Sequence, residues 1–128
     1  MKKIEAIVRR ESFPDIDDAL KQAGISGLTF FDAEGRGRAL GREMIAGRGA
    51  RTYRAEYVER TKLEIIVRDS EAKKVVDIIL AHAKSGVVGD GKIFVSNVEE
   101  GYDISSGQTG DKSILSGEQQ QFAVTAHR

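Results

Sequence analysis

A glycine-punctuated segment, residues 85–92, ends in a lysine and leads directly into the apolar segment 93–95. Glycine lets the backbone approach a ligand closely, so several N–H groups can point at one anion, and Lys92 adds a point charge suited to phosphate. Because the same residues also occur in ordinary tight turns before a strand, the Gly-x-Gly-Lys pattern is weak on its own. The segment predicts an anion-binding loop, with a plain turn as the alternative.

A second candidate site is the long, glycine-rich segment 35–57. Between residues 36 and 60 the chain has seven arginines against three glutamates, and arginine suits docking because it pairs bidentately and stacks on rings. Long segments of this kind in a small domain are functional or disordered. We predict a partner-binding loop, with a flexible solvated loop as the alternative. The residues assigned to the partner surface are Arg42, Arg48, Arg51, Tyr53 and Arg54.

Residues for catalysis or metal binding are not grouped in the sequence. The two histidines, His82 and His127, have no carboxylate or cysteine pattern beside them, which favours a satisfied or solvated histidine over a ligand. No base or metal triad accompanies Lys92. We therefore expect neither a catalytic nor a metal site, and no enzyme activity beyond slow incidental ATP hydrolysis.

The composition favours one soluble cytoplasmic domain. A chain of 128 residues with 40 % hydrophobic residues suffices for one modest two-layer core. Twenty basic and twenty acidic residues cancel, so no overall charge attracts the chain to nucleic acid or to an anionic membrane. The sequence has no cysteine and no long apolar run, so we expect neither disulfides nor membrane insertion.

Hydrophobic periodicity predicts four strands and two helices. Apolar alternation indicates strands at 4–8, 28–31, 62–67 and 93–98. Helical spacing indicates one helix from Pro14 to Gly24 and another over 72–83, capped by Asp69 or Ser70. The order βαββαβ predicts an α+β, ferredoxin-like sandwich with both helices on one face of an antiparallel sheet. The other face of the sheet would then have to be covered by another protein surface, which would contact the apolar residues Ile7 and Ile66 on that face.

Three sequence motifs occur together in this chain. They are the N-terminal run 1–8, the Gly-x-Gly-Arg motif at 35–38 and the run Gly-Asp-Gly-Lys-Ile-Phe at 89–94. Together they resemble the PII family of nitrogen-regulatory signal transduction proteins. The resemblance spans residues 1–112 as one domain and leaves 113–128 as a flexible tail. It implies a homotrimer, which would also cover the second face of the sheet.

The resemblance further implies three loops and a nucleotide site. The T-loop would be residues 35–57, the B-loop 85–92 and the C-terminal loop 99–112. ATP and ADP would compete for a cleft between subunits, with Mg²⁺ needed only if ATP binds. The residues implied around the nucleotide are Ile7, Thr29, Gly37, Arg38, Glu64, Ile66, Gly89, Asp90, Gly91 and Lys92.

The function that the resemblance implies is regulation by an adenine nucleotide (AMP, ADP or ATP). The nucleotide would control, through the T-loop, an ammonium transporter or a nitrogen-assimilation enzyme. Alternatives are a PII-like regulator of carbon metabolism or of nitrogenase. An RNA-binding ferredoxin-like module is less favoured, because such a module displays several aromatic residues on its central strands and strand four offers only Phe94.

Several positions depart from the family pattern. The two phosphate-binding arginines of the family's C-terminal loop are replaced by Asp103 and Ser105, and the Mg²⁺-coordinating glutamine by Ala39. Charge-assisted contacts are among the stronger hydrogen bonds, and alanine has no ligand atom. We therefore expect AMP or ADP to bind at least as well as ATP, and the 2-oxoglutarate response to be weak or absent. Arg36 or Arg42 is a candidate substitute for the lost charge.

Two further departures lie near the end of the T-loop. Arg60 stands where the family has a lysine, and the segment 52–57 lacks the glycine of the family's uridylylation motif. Covalent modification of Tyr53 is therefore disfavoured.

Overall fold

The computed structural model describes residues 1–37, 43–46, 51–54 and 57–114, with the backbone alone at 43–46 and 51–54. Within these ranges, three short 3₁₀ turns connect or follow the main elements, at Arg10–Ser12, Asp69–Glu71 and Gly110–Ile114. The strands and helices are β1 (Lys2–Val8), α1 (Phe13–Gln22), β2 (Thr29–Gly35), β3 (Glu43–Ala46), β4 (Arg51–Arg54), β5 (Val58–Val67), α2 (Ala72–Ala83) and β6 (Gly91–Asn97).

The main sheet has four antiparallel strands in the order β2-β5-β1-β6. Both helices pack on one face of it, which confirms the predicted α+β, ferredoxin-like fold. The observed strands are longer than the predicted ones. Their ends consist largely of polar residues or glycine, so the alternation of apolar residues does not reveal them. Two further strands, β3 and β4, pair with each other inside the segment 35–57, and no apolar alternation in the sequence predicts them.

The core lies between the sheet and the helices. Alternate residues of β1 and β5 point into it, and two residues of each helix meet them, as the two periodicities predict. The glycine predicted to end α1, Gly24, has a φ of 83°, a conformation that glycine adopts without steric cost. The buried apolar side chains are Ile4, Ala6, Val8, Ile16, Leu20, Ile25, Leu63, Ile65, Val67, Val75 and Ile79.

The predicted capping of the second helix is wrong. Asp69 and Ser70 belong to a 3₁₀ turn, and α2 begins after Glu71 without a side-chain capping hydrogen bond. The carboxylate of Asp69 instead lies 3.0 Å from the α-amino group of Met1. That ion pair lowers the pKa of Asp69, first through the hydrogen bond and then through the charge. An interaction between distant parts of the chain therefore replaces the local cap.

The second face of the sheet is mixed rather than apolar. Ile7 and Ile66 lie on it as expected, but the positions between them carry charges. The Lys3 ammonium lies 2.7 Å from a carboxylate oxygen of Glu5 and 3.7 Å from one of Glu64. Within the described ranges, no helix is both long enough and apolar enough to cross a membrane.

Candidate anion-binding site

An open cleft of about 330 Å³ lies at one end of the sheet. Strand register forms it, because Ile7 near the end of β1 is opposite Lys92 of β6, and Gly35 at the end of β2 is opposite Val58 of β5. The two candidate segments, 35–57 and 85–92, thus meet where these strands end. The lining residues are Ile7, Gly35, Arg36, Gly37, Val58, Arg60, Val87, Val88, Gly89, Asp90, Gly91 and Lys92.

Glycine at position 91 is required by close packing against β1. Gly91 has a φ of 113°, and a Cβ added there would lie 1.8 Å from the carbonyl oxygen of Ile7. No side chain fits that space without moving backbone. The glycine therefore brings the loop's backbone against the strand that forms the floor of the cleft.

The Asp90 carboxylate holds the 85–92 loop closed on itself. It accepts hydrogen bonds from the backbone N–H groups of Ser85 (2.7 Å) and Gly86 (3.0 Å), and from the Ser85 hydroxyl. These bonds, led by the hydroxyl, and the nearby charge of Arg9 lower the pKa of Asp90 to about 2. The Arg9 Nε lies 3.4 Å from the carboxylate, and its Nη2 donates to the carbonyl of Val88 at 3.1 Å. Asp90 is thus ionised and already occupied by the loop.

The cleft is positively charged. Among the described residues, three cations line it, Arg36, Arg60 and Lys92, against the one carboxylate of Asp90. Within the described part of the chain, the Lys92 ammonium has no hydrogen-bond or ion-pair partner. Cations above a glycine-rich backbone form a site for an anion such as phosphate.

The structure brings together some of the predicted site residues and separates others. Thr29, Glu64 and Ile66 lie elsewhere on the open face of the sheet, where Thr29 pairs with Glu64. Arg38 lies outside the described residues, as do Arg42 and Arg48 of the predicted partner surface, whereas Arg51, Tyr53 and Arg54 lie in β4. The predicted residues that line the cleft are Ile7, Gly37, Gly89, Asp90, Gly91 and Lys92.

Sequence reasoning gave Arg60 no role in the site. Its place in the cleft depends on the pairing of β5 with β2, in which Arg60 is opposite Ala33. Alternation along β5 was the available signal, since it puts Arg60 on the face of Lys62 and Glu64. Among the described residues, no group of histidines and carboxylates could hold a metal ion.

The C-terminal loop begins at the other end of the sheet. The N–H of Val98 donates to the carbonyl of Met1, six residues before Ile7 and hence about 20 Å from the cleft. Asp103 accepts bonds from the backbone N–H (2.9 Å) and hydroxyl (2.7 Å) of Ser106, which lower its pKa. Neither Asp103 nor Ser105 lines the cleft of its own chain.

Comparison with known proteins agrees with the motifs and the fold. The sequence model of the family "Nitrogen regulatory protein P-II" matches residues 1–108. The chain belongs to the P-II family. It is 40 % identical over 114 residues to Nitrogen regulatory protein P-II 2 of Methanothermobacter thermautotrophicus, an alignment that covers 89 % of this chain and 97 % of the relative. It is 41 % identical over 114 residues to Nitrogen regulatory protein P-II of Rhizobium meliloti, covering 89 % and 100 %.

Membership of the P-II family confirms the resemblance found in the sequence. Members of this family are signal transducers that regulate partners, so membership implies a role in signal transduction. The alignments with both relatives span 114 residues of the 128.

Proposed function

We propose that this protein binds adenine nucleotides in the cleft between segments 35–57 and 85–92 and regulates a partner through the 35–57 segment. The observation that carries the proposal is the cleft itself, in which glycine backbone and three cations meet at the base of that segment. An anion bound there contacts both segments at once. Ligand binding can therefore favour one arrangement of the basic segment over another.

The partner in this proposal is an ammonium transporter or a nitrogen-assimilation enzyme in the cytoplasm. A regulator of carbon metabolism or of nitrogenase would use the same cleft and segment, so the partner's identity is a separate question. Arginine-rich β4 and its neighbours would supply the docking contacts, because arginine binds carboxylates bidentately.

A homotrimer would complete the nucleotide site. Thr29, Glu64 and Ile66 share the open face but lie outside the cleft of their own chain, and the C-terminal loop begins about 20 Å away. A neighbouring copy could bring these residues to the adenine and ribose while the glycine loop holds the phosphates. Closed symmetry would also cover the mixed face of the sheet.

The ligand preference follows from charge at the phosphate end. Asp103 and Ser105 offer no positive charge to a triphosphate, and Ala39 offers no ligand atom to Mg²⁺. We infer that AMP or ADP binds at least as well as ATP, that Mg²⁺ enters only with ATP, and that the 2-oxoglutarate response is weak or absent.

Calorimetric titration of AMP, ADP, ATP and 2-oxoglutarate tests this function. Lys92→Ala should weaken ADP binding by about tenfold, because it removes a charge-assisted contact. Lys73→Ala is the matched control, since Lys73 lies on α2 and pairs with Asp77. Equal ADP affinity in the parent and Lys92→Ala would reject the site, and micromolar, ATP-dependent binding of 2-oxoglutarate would reject the ligand preference.

The RNA-binding alternative finds little support in the open face. Phe31 and Phe94 lie on it, but on the two edge strands, β2 and β6, with two strands between them. At about 4.8 Å per strand spacing these two strands are roughly 14 Å apart, so the two rings are at least that far from each other. In RNA-binding sheets of this fold, the aromatic residues that stack on the bases instead lie on neighbouring strands.

A further inference from the structure

Arg60 reaches from the sheet to the glycine loop. It is the third residue of β5, which follows segment 35–57. Its Nη2 donates to the carbonyl of Gly89 at 3.3 Å, and its Nη1 donates to the carbonyl of Glu59 at 2.8 Å. Both acceptors are neutral, and the side chain lines the cleft.

The charge of Glu11 acts on Arg60, but within the described part of the chain Arg60 has no salt bridge to a carboxylate. Three other arginines there do have one: Arg9 lies beside Asp90, Arg10 beside Asp32 and Glu59, and Arg68 beside Glu71.

The surroundings of Arg60 also disfavour its charge. Burial lowers the pKa of Arg60, the neighbouring charge of Arg9 lowers it further, and Glu11 acts in the opposite direction. A guanidinium held by carbonyls, next to another cation, would gain from an anion in the cleft, because charge-assisted hydrogen bonds are about twice as strong as neutral ones.

We propose that Arg60 binds the β-phosphate of a nucleoside diphosphate and supplies the positive charge that Asp103 and Ser105 do not. This inference rests on the proposed function of the cleft. The planar guanidinium can form two parallel bonds to phosphate oxygens, which an ammonium group cannot. To do so it exchanges the Gly89 carbonyl for the phosphate, so the ligand changes a contact between β5 and the 85–92 loop.

The test compares ADP with AMP, which lacks the β-phosphate, by calorimetric titration of Arg60→Gln and Arg60→Lys. Arg60→Gln should weaken ADP binding by about 10- to 100-fold and leave AMP binding within about threefold. Arg60→Lys should lose part of the ADP affinity, because lysine keeps the positive charge but cannot form the two parallel hydrogen bonds of the guanidinium group. Arg10→Gln is the matched control, since Arg10 neighbours the site but does not line the cleft, and its ADP affinity should equal that of the parent.

Three outcomes would overturn the inference. One is an unchanged ADP affinity in both Arg60 variants, and another is an equal loss of AMP and ADP, which would indicate that Arg60 only shapes the loop. The third is 2-oxoglutarate binding by the parent that Arg60→Gln abolishes while its ADP affinity is unchanged, which would assign Arg60 to a metabolite carboxylate. If the parent protein itself binds no ADP, the proposed function fails before this inference is reached, so the two failures are distinguishable. Thermal melting of each unliganded variant identifies a folding defect, and Arg60→Lys then carries the comparison.

Discussion

At the scale of single residues, Asp90 illustrates why a carboxylate occurs in a loop that we propose binds anions. Its two oxygens are occupied by Ser85 and Gly86, so the loop keeps its turn before any ligand arrives. The Arg9 side chain joins the carboxylate to the carbonyl of Val88. The negative charge of Asp90 therefore holds the 85–92 loop in its conformation, while Lys92 remains available to a ligand.

The ionised state of Asp90 predicts a pH dependence of stability. The fold lowers its pKa from 3.8 to about 2, so the contribution of this carboxylate is fully present above about pH 4 and is lost as the pH falls through about 2. Asp90→Asn should melt below the parent at pH 7, and the difference should shrink at pH 2.5. Thermal unfolding followed by circular dichroism measures both. A difference that is the same at the two pH values would show that the charge of Asp90 does not support the loop.

At the scale of elements, the sheet and both helices could be predicted from the sequence, but the ends of the strands and the cap of α2 could not. The apolar alternation over 4–8 and the helical spacing over 72–83 show which face of each element is buried. Such a pattern extends along a whole element and can therefore be seen in the sequence. The cap of α2 could not be predicted, because Asp69 is drawn to the α-amino group of Met1, a partner distant in sequence.

The candidate site was predicted to a similar extent. The glycine loop is visible as a local motif, so residue types alone single out Gly89, Gly91 and Lys92, which line the cleft. Arg60 was given no role, because only strand pairing brings β5 beside the loop. Residues that depend on a neighbouring element are thus the ones that one-dimensional patterns miss.

The C-terminal loop allows a test of whether its missing positive charges weaken ATP binding. Residues 101–110 form a small closed turn, in which Tyr102 pairs with Thr109 and Asp103 accepts bonds from Ser106. Ser105 is exposed and lies outside those bonds. Ser105→Arg therefore restores one family charge without disturbing the turn. It should strengthen ATP binding by about tenfold and leave AMP binding unchanged, as measured by calorimetry. No gain for ATP would show that this loop does not reach the phosphates.

At the scale of the whole molecule, the proposed site requires more than one chain. The cleft lies at one end of the sheet and the C-terminal loop begins at the other, and neither Asp103 nor Ser105 lines the cleft, so we expect a second copy to bring its loop to the nucleotide. We expect a homotrimer with three equivalent sites. Light scattering should give a mass three times the 14.0 kDa of one chain. A monomer that persists at micromolar concentration would exclude the shared site.

Hydrogen exchange of the backbone, with and without saturating ADP, tests the central claim most directly, because it reports the site and the regulatory segment in one measurement. We predict that ADP slows exchange in residues 85–92 and changes it in residues 35–57, while α1 exchanges at an unchanged rate. The protein carrying Lys92→Ala should show neither change at the same ADP concentration. Slower exchange that is confined to other parts of the chain, or bound ADP with no change in either segment, would contradict the account.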